Sequence, residues 1–427
     1  MNAENSTTFD AMARTEAASL AGKRAIRLGI VGATNANVYD GRLFVHATFG
    51  RIVQMLVDRY ERVVLSTPVT CAPPPESRDY ALPMSSIDLA AQPGWTSSAA
   101  ALRHPLAIMY CFERICRTCD VVFIRGLQPW LQYIYLRRLF GGPPIVHWLV
   151  GDPVHGMRAD RECPLLKRHL LAGYCLIEQH ATRLAARLTG TALLANGARL
   201  ACKYQTPNTH AVVSTAIYER EIRPRIDTCD GPAVRVLYVG FIRPGKGLSF
   251  LIGALPKLRS DRRVELIIVG AAEKYGESRR RAEAQIRSLD LTDRVTFAGY
   301  VAYGAPLFEQ MRRADVLVLP SLSEGTPRTL VDARAQGLPI ISTDVGGVPT
   351  SVTHEHDGLL VPPADENAIA AAIDRMIEDG ALRRRLIANG LRRAHELTLE
   401  RFVDRLCSTT EREAAKRSRR APGRNRS

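Results

Sequence analysis

The stretch Ser321-Leu322-Ser323-Glu324-Gly325-Thr326-Pro327-Arg328-Thr329-Leu330-Val331-Asp332-Ala333-Arg334-Ala335-Gln336-Gly337 decides the reading of this chain. Before it lies Asp315-Val316-Leu317-Val318-Leu319-Pro320, an apolar run with the length and composition of a buried strand. Thr326 is suited to cap a helix, Pro327 to its first position, and Gly337 to the turn past its end. Leu338 to Ser342 reads as the next strand. The unit is strand, loop, helix, strand, the repeating piece of an α/β domain.

Glu324 falls in the loop, and Asp332 falls eight residues later inside the helix. At the usual rise, their backbones stand about 12 Å apart along the axis. Two carboxylates that share one glycosidic bond need about 5 to 10 Å. A hydrolase pair therefore does not fit, whereas one ligand long enough to reach both acids does. Between them, the backbone N–H groups of Gly325, Thr326 and Arg328 sit at a helix start, where an anion is favoured. Carboxylate, anion hole and carboxylate suit a sugar, a diphosphate and a ribose. The plain alternative is an ordinary α/β turn whose acids face water.

The chain has 427 residues, enough for two or three domains, and 46% of them are hydrophobic. The net charge of +15 owes part of its excess to the arginine-rich end from Lys416 to Arg426. Such a run reads as a solvated tail, and the excess also suits an anionic membrane face or an acidic glycolipid. No nucleic-acid-binding motif accompanies it, so no nucleic-acid partner is expected. Nine cysteines, an odd number, are expected to be reduced thiols of a cytosolic protein. Cys116 and Cys119 form one C-x-x-C near Cys111 without a second pair at zinc spacing, so packing is expected there and no metal site. Residues 1–22 have no apolar core segment and no apolar run reaches 18 residues, so neither a leader nor a membrane-spanning helix is expected.

Taken in order, residues 1–22 are expected to be disordered and residues 23–214 to form a first domain of alternating strands and helices. In it, Gly32 to Gly41 reads as a loop feeding a helix from Leu43, Pro68 to Thr96 as an irregular insertion, and Ser98 to Arg117 as one helix. After the strand Pro144 to Val150 comes Gly151-Asp152-Pro153-Val154-His155, at a strand's carboxyl end where α/β sheets bind ligands. A basic amphipathic helix from Pro164 to Leu188 reads as core-facing with a solvated basic side; helices of this kind also lie on membranes. Residues 215–233 read as the linker and 234–398 as a second α/β domain. A helix over 399–415 and a disordered tail over 416–427 close the chain. The second domain opens on a strand running into Gly240-Phe241-Ile242-Arg243-Pro244-Gly245-Lys246-Gly247. Its glycines allow close backbone approach, and Arg243 and Lys246 suit phosphate oxygens, although the spacing is not that of a P-loop.

These motifs resemble those of retaining glycosyltransferases with the GT-B fold, the large family 4. The match is strong over about residues 234–405 and only architectural over 24–214. Glu324 and Asp332 stand where the family has E-x7-E, with Asp for the second Glu. Lys246 and Gly247 align with G-R-L-x3-K-G, with Phe241 in place of the Arg, so that either Arg243 serves or Lys246 acts alone. Gly299-Tyr300-Val301, Gly346-Gly347-Val348-Pro349 and Asp357-Gly358-Leu359-Leu360-Val361 match further family segments. Where the family often has His-Asp, the chain has Gly151-Asp152, and His155 is either a substitute or a plain loop residue.

The resemblance implies two Rossmann-like, doubly wound parallel-sheet domains facing across a cleft. It implies hexose transfer from a nucleoside-diphosphate sugar, without a metal or other cofactor, to a hydroxyl of a glycan or glycolipid. Glu324, Asp152 and His155 would be catalytic. Arg243, Lys246, Gly325 and Thr326 would hold the diphosphate, Asp332 the ribose, and Val301 the base. In the family the last helix packs back on the first domain. Family habit and charge suggest bacterial surface-polysaccharide assembly, in the cytoplasm or at the inner face of the plasma membrane. A nucleotide-binding scaffold on the same fold is the competing reading.

Overall fold

The computed structural model describes residues 23–32, 34–95, 98–154, 164–271 and 276–420. The expected disorder of residues 1–22, the end of the tail from 421 on, and His155 lie outside the described residues. The chain forms two compact units. The first takes in the described residues up to Pro74, Tyr80–His147 and the chain from Arg405 on; the second takes in Pro75–Asp79 and Trp148–Asp404.

The first unit is built from β1 (Arg24–Gly32), β2 (Ala36–Tyr39), β3 (Arg42–Val45), α1 (Ala47–Val57), β4 (Tyr60–Thr70), β5 (Tyr80–Pro83), β6 (Asp88–Pro93), α2 (Ser98–Ala101), α3 (Pro105–Thr118), β7 (Val121–Arg125), α4 (Gln132–Leu139) and the start of β8 (Ile145–Leu149). The strands lie in the order β8-β7-β1-β4-β2-β3-β5, and β6 also pairs with β4. β1 is parallel to both β4 and β7.

Three local expectations are corrected here. The span Gly32 to Gly41 carries β2, paired antiparallel with β3, because Asp40 (φ 48°) and Gly41 (φ 66°) make the tight turn that Asp-Gly favours. The insertion is ordered: β5 pairs antiparallel with β3, and β6 runs parallel to β4. The helix over 98–117 is two helices, because Pro105 drives His104 out of helical geometry (φ −121°) and itself starts α3. Cys111, Cys116 and Cys119 are buried, and burial pushes the Cys116 thiol up to about 12 and the Cys119 thiol up to about 11. They are inert packing groups.

The second unit continues with α5 (Leu165–Thr189), β9 (Ala192–Asn196), α6 (Ala198–Lys203), β10 (Thr209–Val212), β11 (Ala233–Val239), α7 (Leu248–Ala254), β12 (Arg263–Val269), α8 (Gly276–Ser288), β13 (Val295–Gly299), α9 (Ala305–Arg313), β14 (Val316–Leu319), α10 (Arg328–Ala335), β15 (Ile340–Thr343), α11 (Val348–Ser351), β16 (Leu359–Val361), α12 (Glu366–Glu378), α13 (Gly380–Glu396) and the start of α14 (Leu399–Arg420). β9 and β10 pair in parallel. The other six strands form a parallel sheet in the order β13-β12-β11-β14-β15-β16. Alternate residues serve its two faces: Val236, Tyr238, Val316 and Val318 join one core, and Leu237, Leu317 and Leu319 the other.

Residues 215–233, expected as a linker, form a packed strap. Ile217, Ile222, Thr228 and Cys229 are buried, the Arg223 amide donates to Ala335 O at 2.8 Å, and Ile217 O accepts from the Leu399 amide at 2.7 Å. Compactness therefore groups 148–214 with the later chain, where the sequence placed a boundary after residue 214. The helix expected over 399–415 runs on to Arg420, so the disordered tail cannot begin at 416. In the first unit its Glu411 pairs with Arg24. α5 also departs from expectation. Its buried side holds only small groups such as Ala172, Thr182 and Ala186, while most of its leucines face water.

Candidate functional site

β11 and β14 are neighbours at the centre of the six-stranded sheet. From β11 the chain moves outward to β12 and β13; from β14 it moves the opposite way to β15 and β16. The switch point lies between them, and the loops at its carboxyl end are where such sheets bind ligands. These are the two loops that the sequence singled out, Gly240 to Gly247 and Ser321 to Pro327.

The loops are locked together by backbone contact. Gly247 has φ +65°, and a Cβ there would stand 2.0 Å from Pro320 O, so only glycine fits. The Leu322 amide donates to Gly245 O at 3.0 Å. This brings the Lys246 ammonium to 2.5 Å from Glu324 Oε1, and the Ser321 hydroxyl donates to the same oxygen at 2.6 Å. Both side chains of the ion pair are largely buried. A third loop, after β15, completes the clamp. The Gly347 amide donates to Gly325 O at 2.9 Å, and a Cβ on Gly346 would stand 1.8 Å from Glu324 O. The backbone that carries Glu324 is thus fixed on both sides.

Beside this clamp lies a recess lined by Glu324, Gly325, Thr326, Gly346 and Gly347 on one wall. Gly151, Asp152, Asn196, Arg199 and Lys203 line the other. Asp152 pairs with Lys203, and the Arg199 guanidinium reaches Gly346 O at 3.5 Å. Asn196 ends β9; its side-chain Nδ2 donates to Val150 O, and its Oδ1 accepts the Ser214 amide. Under the clamp, the Tyr238 hydroxyl donates to Phe241 O at 2.9 Å; burial, reinforced by Glu324, holds this phenol well above its ordinary range. Among the described residues, no group of three or more His, Cys, Asp or Glu side chains is placed to hold a metal ion.

The structure brings Glu324, Gly325, Thr326, Asp152 and Lys246 into one neighbourhood. Thr326 does not cap the helix: Pro327 holds the cap position, and the Thr326 hydroxyl donates to Asn196 O at 3.1 Å. Its side chain is therefore a tether between the walls. Arg243 is not brought to Glu324. It is exposed and lines a different recess with Leu248, Ser278, Arg281 and Gln285. Asp332 is 4% exposed and accepts the Tyr303 hydroxyl at 2.9 Å. Val301 packs with Tyr303 on the core beneath. Asp79 receives the Tyr300 hydroxyl at 3.0 Å and the Tyr303 amide at 3.3 Å. Gly151 is exposed with open space at its Cβ position.

Sequence reasoning missed Arg199, Lys203, Ser321 and Tyr303. The first two had a readable signal, since Gly197 (φ +93°) turns β9 into α6 and so puts α6 at another strand's carboxyl end.

Residues 220–393 match the family model described as glycosyl transferases group 1. An uncharacterized glycosyltransferase of Methanocaldococcus jannaschii is 31% identical over 161 residues, which is 38% of this chain and 40% of that protein. A D-inositol 3-phosphate glycosyltransferase of Stackebrandtia nassauensis is 33% identical over 175 residues, 40% of this chain and 39% of that protein. The chain thus spans about two fifths of the length of these curated relatives. The crystal structure of Anabaena HepE in complex with UDP matches with a TM-score of 0.67 at 16% identity, covering 90% of this chain and 99% of that one. That likeness shows the fold, which is the mixed α/β GT-B architecture.

Proposed function

We propose that this protein is a retaining, metal-independent glycosyltransferase that moves a hexose from a nucleoside-diphosphate sugar to a hydroxyl of a glycan or glycolipid. The observation that carries the reading is the buried Lys246–Glu324 pair at the switch point, beside a recess with a helix start on one wall. The group 1 match covers both loops of that pair.

Within the ion pair, each partner balances the other's charge. When the donor binds, the Lys246 ammonium and the amides at the start of α10 take the diphosphate, and Glu324 turns to the sugar hydroxyls. Asp152, braced by Lys203, faces the sugar from the other wall. Asp332, with Tyr303, meets the ribose, and the backbone at Val301 meets the base. Negative charge developing on the leaving phosphate is met by Lys246 and the helix dipole. The acceptor attacks from the face the phosphate leaves, with that phosphate as base. The setting is bacterial surface-polysaccharide assembly at the inner face of the plasma membrane. Among the described residues, no helix is long and apolar enough to cross a membrane.

The test is a thermal-shift panel with UDP, GDP, ADP and their glucose or mannose conjugates, with and without EDTA. A shift for one diphosphate that survives EDTA is expected; at about 100 times the dissociation constant it amounts to about 2.7 kcal/mol. No shift with any of them would refute donor binding. The open position at Gly151 favours a second reading, a nucleotide-binding scaffold. It predicts a shift with neither donor hydrolysis nor transfer.

A further inference from the structure

α5 is a 25-residue helix whose apolar side chains point the wrong way for a core. Leu166, Leu170, Ile177, Leu184 and Leu188 are between 60% and 75% exposed. At about 100° per residue they fall within a sector roughly 40° wide, opposite Ala172, Thr182 and Ala186, and the stripe is about 33 Å long. Exposed leucines are ordinary one at a time; a continuous stripe of them marks an interaction face.

The chemistry beside the stripe selects the occupant. Lys167 flanks it on one side and Arg187 on the other, while Glu178 is the helix's only acid. A second copy of the chain fits poorly. With Leu170, Ile177 and Leu184 at one core position of a heptad, the companion row is either Gly173, His180 and Arg187 or Lys167, Tyr174, Ala181 and Leu188; each row carries a cation and neither is apolar throughout, so no uninterrupted seam forms. Two segments outside the described residues suit the stripe no better. Residues 155–163 carry four charged side chains, and residues 1–22 are mostly small or polar. Crossing a bilayer does not suit the helix either. An apolar stripe bordered by cations is the pattern of a helix lying in the plane of an anionic membrane surface.

We propose that α5 is a membrane-docking face, with its leucine stripe at the acyl boundary of an anionic bilayer and Lys167 and Arg187 among the lipid phosphates. Long basic side chains reach headgroups while their stems stay on the apolar surface. This surface is separate from the Lys246–Glu324 recess, so it stands or falls independently of the donor chemistry.

The test is vesicle flotation of the full chain on phosphatidylcholine alone or mixed with phosphatidylglycerol. Binding to the mixed vesicles, about tenfold or more stronger than to the neutral ones and weakened by salt, is expected. The variant Leu170→Ser/Ile177→Ser/Leu184→Ser should lose about tenfold or more of that binding. The variant Lys167→Gln/Arg187→Gln should lose binding together with its salt dependence. Because these side chains are exposed, both variants should keep the melting temperature and the nucleotide-induced shift of the parent. Absent vesicle binding, equal binding by the apolar variant, or a parent dimer that this variant turns into a monomer would each overturn the proposal. A normal nucleotide shift in such a case would leave the donor-site reading standing.

Discussion

In the six-stranded sheet every neighbouring pair is parallel, and its glycines pack against loop backbone. In the sheet around β1, the parallel centre is flanked by an antiparallel hairpin and an added edge strand, and β8 there carries a fully buried histidine. His147 illustrates the second kind: its Nε2–H donates to Gly126 O at 2.9 Å, and its Nδ1 accepts the Tyr135 hydroxyl at 2.8 Å. Glu324 illustrates the first, being held by a buried ammonium and by glycines on the loop after β15. The difference is between a region built to place charge for a ligand and a region built to keep a core neutral. Charge held under backbone clamps is ready for use; a neutral histidine between two partners is stability only.

This contrast is sharpest in turnover. Glu324→Gln keeps the shape of the side chain and removes its charge, so transfer should fall by a factor on the order of 10² to 10³ while the UDP-induced shift stays near normal. Unchanged turnover would place Glu324 outside the chemistry.

The neutral side of the comparison is tested with acid. Burial depresses the His147 pKa from 6.5 to about 4. Its contribution to stability is therefore whole above pH 6.5, declines as pH falls towards 4, and is gone below that. The total is about 3 kcal/mol at roughly 1.4 kcal/mol per pH unit. Urea midpoints of the parent and His147→Gln at pH 7 and pH 4.5 should converge at the lower pH. Parallel curves would show that His147 is not the buried neutral group described.

A smaller effect is expected of Lys246→Ala, which should weaken nucleoside diphosphate binding by about 1.5 to 3 kcal/mol and leave the nucleoside unaffected. Equal losses for both ligands would put the ammonium away from the phosphates. Smallest is Gly41→Ala. Nothing lies within 4 Å of its Cβ position, so only the backbone at φ +66° is strained, at a cost of about 1 kcal/mol in unfolding free energy. No loss would mean that the turn between β2 and β3 adopts another form.

Legibility followed the same divide. The second sheet was readable because short apolar strands ending in glycine-rich loops alternate with capped helices, a pattern that needs no distant partner to interpret. Glu324, Lys246 and the Gly346-Gly347 turn were legible as individual residues for this reason. The hairpin β2–β3 had its signal in Asp40-Gly41 but went unread, because the strands on either side are four residues long. Pro105, likewise, announced the break between α2 and α3. α5 could not have been oriented from sequence: its period marks an apolar side and a basic side, but not which of them the neighbouring elements cover.

By itself, the sequence determined the order of strands and helices in 234–398, the positions that must be glycine, and the residues able to carry charge at the carboxyl ends of β11 and β14. Those depend on local periodicity and on backbone conformations that few residues adopt. Tertiary structure alone decided that Lys246 meets Glu324 while Arg243 does not, that the Thr326 hydroxyl is spent on Asn196, and that most leucines of α5 face outward. Each of these is a contact between residues far apart in the chain, or the lack of one, and it is set by which surfaces remain once the sheets have packed.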